Sequence, residues 1–261
     1  MAQSFHADLE LALRLADMAD ATSMTGFRDR DLEVFTKPDM TPVTAADRAV
    51  EMAIRERLAE ERPDHAVLGE EYGAAGTSPW RWVLDPIDGT RSYMRGNETW
   101  ATLIALQWEG DTVVAVASMP ALRHRYAAML GAGAQLNGRP IHVSRVAQLS
   151  EAMLTHTSIP GFVRVGRAQE LVDLAGRCWD ARGLGNSMSH LAVARGTADI
   201  GWTSRANVWD FAALSLIVRE AGGRFTDRSP DDAKLGGTGL SSNGVLHDEV
   251  LKMIGVREDA A

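Results

Sequence analysis

Two short apolar runs in this chain end in acids. Ala66-Val-Leu68 leads into Gly69-Glu-Glu71, and Trp82-Val-Leu84 leads into Asp85-Pro-Ile-Asp-Gly-Thr90. Runs of this length, bounded by turn residues, read as buried strands, so each delivers carboxylates at its C-terminal end. Asp210 adds another acid at the start of the apolar stretch 209–220. Carboxylates at the ends of buried elements lose hydration and, if gathered, repel one another. Taken singly, each of Glu70, Asp85, Asp88 and Asp210 reads equally as a helix cap or a solvated turn. Taken together, they call for divalent cations, and an all-oxygen donor set without a His or Cys cluster points to a hard ion such as Mg²⁺.

The second run is informative beyond its acids. The spacing predicts that the strand ends at Asp85, that Pro86 stiffens a turn, and that Gly89 permits close approach. Thr90 then opens a helix whose N–H groups face an anion. Metal and phosphate would meet at one point. The net charge of −8 makes this economical, because bound cations reverse the local sign of an acidic protein's field. The same charge disfavours nucleic acid as a partner, since no basic surplus exists to displace counterions.

Around these motifs the chain reads as alternating helices and strands, an α/β (α+β) organisation. Phe5, Leu9, Ala12, Leu13, Ala16 and Ala19 predict an amphipathic first helix over 4–22. The stretch Thr36-Lys-Pro-Asp-Met-Thr-Pro-Val43 reads as a mobile, irregular loop. Thr44 is then an N-cap, with Asp47 in the first turn and Val50, Ile54 and Leu58 as the buried stripe. Residues 102–108 and 112–119 predict one antiparallel hairpin, and Asn137-Gly138 marks another. From Ala147 onward short strands alternate with helices, the latter over 187–194 and 209–220. The expected division is an N-terminal lobe, 1–150, of helices on an antiparallel sheet with most of the acids, and a C-terminal α/β lobe, 151–261.

Composition excludes several classes. Hydrophobic residues are 45% and charged residues 24% of 261, which fits an ordinary globular body and neither a disordered nor a collagenous chain. No apolar run approaches the roughly 18 residues of a membrane span, and the N-terminus lacks the pattern of a secretory leader. Cys178 is the sole cysteine, so no internal disulfide forms and its expected role is packing. These features fit a cytoplasmic protein. His124, His142 and His156 lack ligand spacing and read as surface or packing residues, and Trp209 reads as core.

The quoted motifs resemble a known family. Gly69-Glu-Glu71, Trp82-Val-Leu-Asp-Pro-Ile-Asp-Gly-Thr90, Val208-Trp-Asp-Phe-Ala-Ala213 and Glu220-Ala-Gly-Gly223 are similar to signatures of the inositol monophosphatase family. Lys37, Thr41-Pro-Val-Thr-Ala-Ala-Asp47 and Ser242-Asn-Gly244 extend the resemblance over nearly the whole chain. It implies a layered αβαβα sandwich, a homodimer, and a Mg²⁺-dependent phosphatase of small phosphomonoesters. It further implies that Glu70, Asp85 and the Ile87 carbonyl bind one metal, that Asp85, Asp88 and Asp210 bind a second, and that other members place a weaker third ion beside Glu70. Glu70 and Thr90, the latter paired with Asp47, would orient and deprotonate the attacking water. The N–H groups of Gly89 and Thr90 would hold phosphate, and Lys37 would sit on a loop that closes near the metals. Asp47 keeps a structural alternative, as an acid that caps its own helix.

Within the family, residues 36–51 look most like actinobacterial histidinol-phosphate phosphatases. The resemblance puts substrate contacts at Asp88, Gly185, Asn186, Ser187, Thr203 and Arg205. That subgroup carries acids where Asn186 and Thr203 stand here, and a tyrosine where His190 stands. The expected substrate is therefore histidinol phosphate-like or inositol phosphate-like. A nucleotide or sugar monophosphate is the alternative that Arg205 and the missing acids favour. A metal-binding regulatory protein without turnover is the rival from another class.

Overall fold

The computed structural model describes residues 5–29, 33–36, 42–226 and 237–254. The N-terminal elements are α1 (His6–Gly26), β1 (Val34–Thr36), β2 (Pro42–Thr44) and α2 (Ala45–Glu61). There follow β3 (Ala66–Gly69), β4 (Gly73–Ala75), β5 (Trp80–Asp88), α3 (Thr90–Met94), β6 (Ala101–Trp108), β7 (Asp111–Met119), β8 (His124–Met129), β9 (Gly133–Leu136) and β10 (Arg139–Ile141). The rest comprises β11 (Met153–His156), α4 (Ile159–Arg164), α5 (Ala168–Ala175), β12 (Asp180–Gly183), α6 (Asn186–Ala194), β13 (Ile200–Ala206), α7 (Val208–Glu220), β14 (Arg224–Thr226), β15 (Gly237–Ser242) and α8 (His247–Ile254).

Strands β3 to β10 form an eight-stranded sheet in the order β10-β9-β8-β7-β6-β5-β3-β4. It is antiparallel except where β3 runs parallel to β5. Its faces are sorted by side-chain size. Trp82, Leu84, Ile104, Leu106, Val114 and Val116 pack against α1 and α2. The alternate positions Val83, Leu103, Ala105, Ala115 and Ala117 meet α7. Period-2 alternation with both faces covered explains the nearly continuous apolar runs. The alanines let α7 approach closely.

A five-stranded sheet, in the order β12-β11-β13-β15-β14, lies beyond α6 and α7. Its outer face packs on α4, α5 and α8 through Leu154, Ile200, Trp202 and Leu240 against Phe162, Leu171, Leu174, Val250 and Ile254. The layers run helix, sheet, helix, sheet, helix, the sandwich that the resemblance implied. Half-buried Cys178 packs on this outer core. Ile104 is wholly buried between α1/α2 and the large sheet. Replacing it with Ala should therefore lower stability by about 2–5 kcal/mol, measured as a shift in urea midpoint at constant slope.

Two local expectations need correction. β5 does not end at Asp85 but runs on to Asp88, with a register shift against β6 between those two residues. Pro86 has no N–H for a ladder, and the irregularity accommodates it. Its carbonyl accepts the Thr102 hydroxyl at 2.8 Å. The stretch read as a loop over 36–43 is ordered at both ends, where β1 and β2 pair antiparallel, while residues 37–41, with Lys37 and Thr41, lie outside the described residues. The Asn137-Gly138 turn forms as expected, with both residues at positive φ, 51° and 75°. No helix among the described residues is long and apolar enough to cross a membrane.

Candidate active site

The parallel pairing of β3 and β5 brings the first acids together. Past the end of β3, the Glu70 N–H donates to the Leu84 carbonyl at 3.2 Å, which sets Glu70 beside Asp85. Asp85 and Asp88 both lie on the continued β5. Asp210 arrives from the other side, in the first turn of α7. One carboxylate oxygen from each of Asp85, Asp88 and Asp210 falls within 4.8 Å of the others.

Each acid is held differently. Asp88 accepts the Ser187 N–H from the start of α6 at 2.6 Å. Asp210 is the third residue of a capping box and accepts the Asn207 N–H. Asp85 is 1% exposed, and among the described residues no hydrogen-bond donor reaches either of its oxygens. Burial raises the Asp85 carboxyl well above the ordinary range, and Glu70, Asp88 and Asp210 reinforce the rise. Asp210 is pushed up to about 7 by burial and by Asp88. Asp88 reaches about 6 through burial, with the Ser187 N–H opposing the shift.

A buried carboxylate without a donor is costly unless something cationic serves it. Converging oxygens with no imidazole or thiolate suit a hard metal ion. The residues present fit a metal centre.

Asp47 makes the contacts of a helix cap and also meets Thr90. Its Oδ2 accepts from the Thr44 N–H and hydroxyl, at 2.8 and 2.6 Å, closing the capping box of α2. Its Oδ1 lies 3.3 Å from the Thr90 hydroxyl. Capping does not compete with Thr90, because each uses a different oxygen. The Thr90 hydroxyl also lies 3.3 Å from the Ile87 carbonyl. Gly89, the residue before α3, has φ of 91°, a left-handed conformation that a Cβ would strain.

The expected substrate contacts are distributed around α6 and β13. Gly185 precedes α6 and donates its N–H to the His156 carbonyl at 3.2 Å, and Asn186 opens the helix. Buried Ser187 reaches the acids through its N–H. Thr203 is buried on β13, and its hydroxyl lies 2.8 Å from His190 Nε2. His190 Nδ1 lies 2.8 Å from the Ser241 hydroxyl. Burial depresses the His190 imidazole to about 3, so it is neutral. Arg205 is exposed near the end of β13, which leads through Asn207 to Asp210.

Sequence reading gave no role to Glu51 or Arg55. Glu51 is fully buried and accepts the Glu71 and Tyr72 N–H groups at 2.7 and 3.2 Å. The available signal was its place four residues after Asp47, on the same face of α2.

Comparison with known proteins places the chain in a family. Residues 6–255 match the model of the inositol monophosphatase family. A histidinol-phosphatase of Mycobacterium tuberculosis is 45% identical, covering 94% of this chain and 97% of its own. One from Streptomyces coelicolor is also 45% identical, covering 96% and 97%. The solved structure of a Thermotoga maritima IMPase superposes with a TM-score of 0.87 at 30% identity, over 95% of this chain and 96% of that one. With its acids gathered at the ends of β3, β5 and the start of α7, the chain belongs to the inositol monophosphatase family, as a phosphomonoester hydrolase.

Proposed function

We propose that this protein is a Mg²⁺-dependent phosphatase that hydrolyses a small phosphomonoester by direct attack of water, with histidinol phosphate the first substrate to test. The observation that carries the metal reading is buried Asp85, without a donor among the described residues, between Glu70, Asp88 and Asp210. In this reading Glu70, Asp85 and the Ile87 carbonyl hold one Mg²⁺, and Asp85, Asp88 and Asp210 hold a second. Bound Mg²⁺ supplies positive charge for the phosphoryl oxygens and lowers the pKa of water. Glu70 orients the water and takes up its proton. Thr90 assists, its hydroxyl aimed by Asp47 Oδ1. Gly89 and Thr90 present N–H groups to the phosphate oxygens. The water oxygen bonds to phosphorus, the ester P–O bond breaks, the proton taken up by Glu70 returns through solvent to the departing alkoxide, and an alcohol and inorganic phosphate leave.

The 45% identity with two histidinol-phosphatases supports an amino-alcohol phosphate. A second reading rests on the neutral pair His190 and Thr203 and the exposed Arg205. Without a carboxylate at Thr203, that wall suits the hydroxyls of an inositol, sugar or nucleoside phosphate at least as well as an ammonium group. We also assign recognition to the lobe 151–261 and most metal ligands to 1–150, in a cytoplasmic homodimer.

Phosphate release from histidinol phosphate, inositol 1-phosphate, a hexose phosphate and nucleoside monophosphates, each with Mg²⁺ and with EDTA, tests both readings. The expected result is Mg²⁺-dependent turnover with histidinol phosphate preferred at least about tenfold in kcat/KM, the worth of about 1.4 kcal/mol in the transition state. Preference for the inositol, hexose or nucleoside ester selects the second reading. No release from any ester, with Mg²⁺ still raising the Tm, selects a metal-binding regulator.

A further inference from the structure

Glu70 is the one acid in the proposed metal site that lies outside a regular element. It belongs to the turn between β3 and β4, where its own N–H meets the Leu84 carbonyl of β5 and α2 supplies side-chain contacts to the residues that follow. Glu51 Oε2 accepts the Glu71 N–H at 2.7 Å, and Oε1 accepts the Tyr72 N–H at 3.2 Å. Arg55 Nε donates to Glu51 Oε1 at 2.7 Å, and Arg55 Nη2 donates to the Gly73 carbonyl. The fit is close. A Cβ on Gly69 would stand 2.0 Å from Glu51 Oε1, so the residue before Glu70 has to be glycine for this carboxylate to enter the turn.

A fully buried carboxylate is an expensive way to tie down a turn, and it persists only when donors satisfy it. Here three donors converge on one side chain. The placement along α2 gives a reason. Asp47, Glu51 and Arg55 follow at steps of four and share one face of the helix. Asp47 reaches Thr90 at the end of β5, and Glu51 with Arg55 reaches the residues just past Glu70. One rigid helix therefore references both strand ends to each other.

We infer that Glu51, braced by Arg55, is a positioning residue for metal binding: through the 69–73 turn it holds Glu70 in register with Asp85. This rests on the metal reading of Glu70 given above. Supporting groups behind metal ligands commonly govern affinity without touching substrate.

The test is Mg²⁺ titration of the substrate-free protein by calorimetry, together with Mg²⁺ dependence of phosphate release. Glu51→Gln keeps the volume but places an amide N–H₂ where an acceptor is needed. It should weaken Mg²⁺ binding by about 10–100-fold. KM for the ester at saturating Mg²⁺ should stay within about twofold of the parent. Arg55→Met should act in the same direction, more weakly, and it carries the test if Glu51→Gln does not fold. Leu58→Ala, in the apolar stripe of the same helix, should lower the Tm without changing Mg²⁺ affinity. The inference is overturned if Glu51→Gln, or Arg55→Met in its place, binds Mg²⁺ as tightly as the parent, or if Leu58→Ala weakens binding as much. Glu70→Gln separates the two levels. If it weakens Mg²⁺ binding while Glu51→Gln does not, only the positioning role fails. If the parent binds no Mg²⁺ at all, the metal reading fails and takes this inference with it.

Discussion

Replacing Asp88 with Asn should reduce kcat by at least about 10²–10³-fold, the scale on which loss of one charge-stabilising group is felt in a preorganised site. The fold should survive the change. The amide oxygen of Asn can still accept the Ser187 N–H that now meets Asp88 Oδ2 at 2.6 Å, so the contact between β5 and α6 persists. What disappears is one negative charge from a cluster whose members raise one another's pKa. In EDTA the variant should therefore unfold at the same temperature as the parent or above it, because removing a buried like charge relieves repulsion. Loss of turnover without loss of metal-free stability distinguishes a ligand from a structural acid. Retained turnover would refute the two-metal assignment.

The second large effect is a pH dependence whose sign depends on metal. Asp88 and Asp210 have folded-state values of about 6 and about 7, raised from 3.8, and Asp85 lies well above that reference. A carboxyl with a higher pKa folded than unfolded binds its proton more tightly when folded. Its stabilising contribution is complete below the unfolded value and is lost as pH rises through the folded value. Buried His190 and His247, held down to about 3 and about 4, act in the opposite sense as pH rises, so the acids are read by difference. In EDTA the Tm advantage of Asp210→Asn over the parent should grow from about pH 5 to about pH 8, by roughly 5 °C. Mg²⁺ requires the ionised carboxylates, so protons compete with it and its stabilising effect should grow over the same window. Thermal unfolding in EDTA and in Mg²⁺ at the two pH values checks both slopes. If the Asp210→Asn advantage in EDTA does not grow between the two pH values, these acids are not the buried, mutually repelling set described above.

Some of this was legible in the chain and some was not, for identifiable reasons. The Asn137-Gly138 turn and the Thr44 cap are local chemistry, decided within a few residues, and they form as read. The strand through Trp82, Val83 and Leu84 was legible for the same reason. Its continuation to Asp88 was not, because Pro86 signals a turn locally, whereas pairing with β6 and the Thr102 hydrogen bond draw the segment into the sheet. Asp47 looked like a choice between cap and catalytic partner. Only the arrival of Thr90, 43 positions away in the chain, gives it both sets of contacts at once.

Glu70, Asp85, Asp88 and Asp210 could be singled out in advance because acids at the ends of apolar elements are conspicuous in one dimension. Their convergence depends on β3 lying parallel to β5 and on α7 packing over the alanine-lined face of the sheet, pairings between segments far apart in the chain. Glu51 and Arg55 stayed hidden because a buried carboxylate on a helix resembles a solvated one until its donors are located, and two of its three donors belong to another strand's exit turn. Residue types and local turn signals set which chemistry is possible. Which oxygens meet, and which backbone donors reach Glu51, follows from packing, because hydrogen bonds and burial between distant segments exist only once the layers have come together.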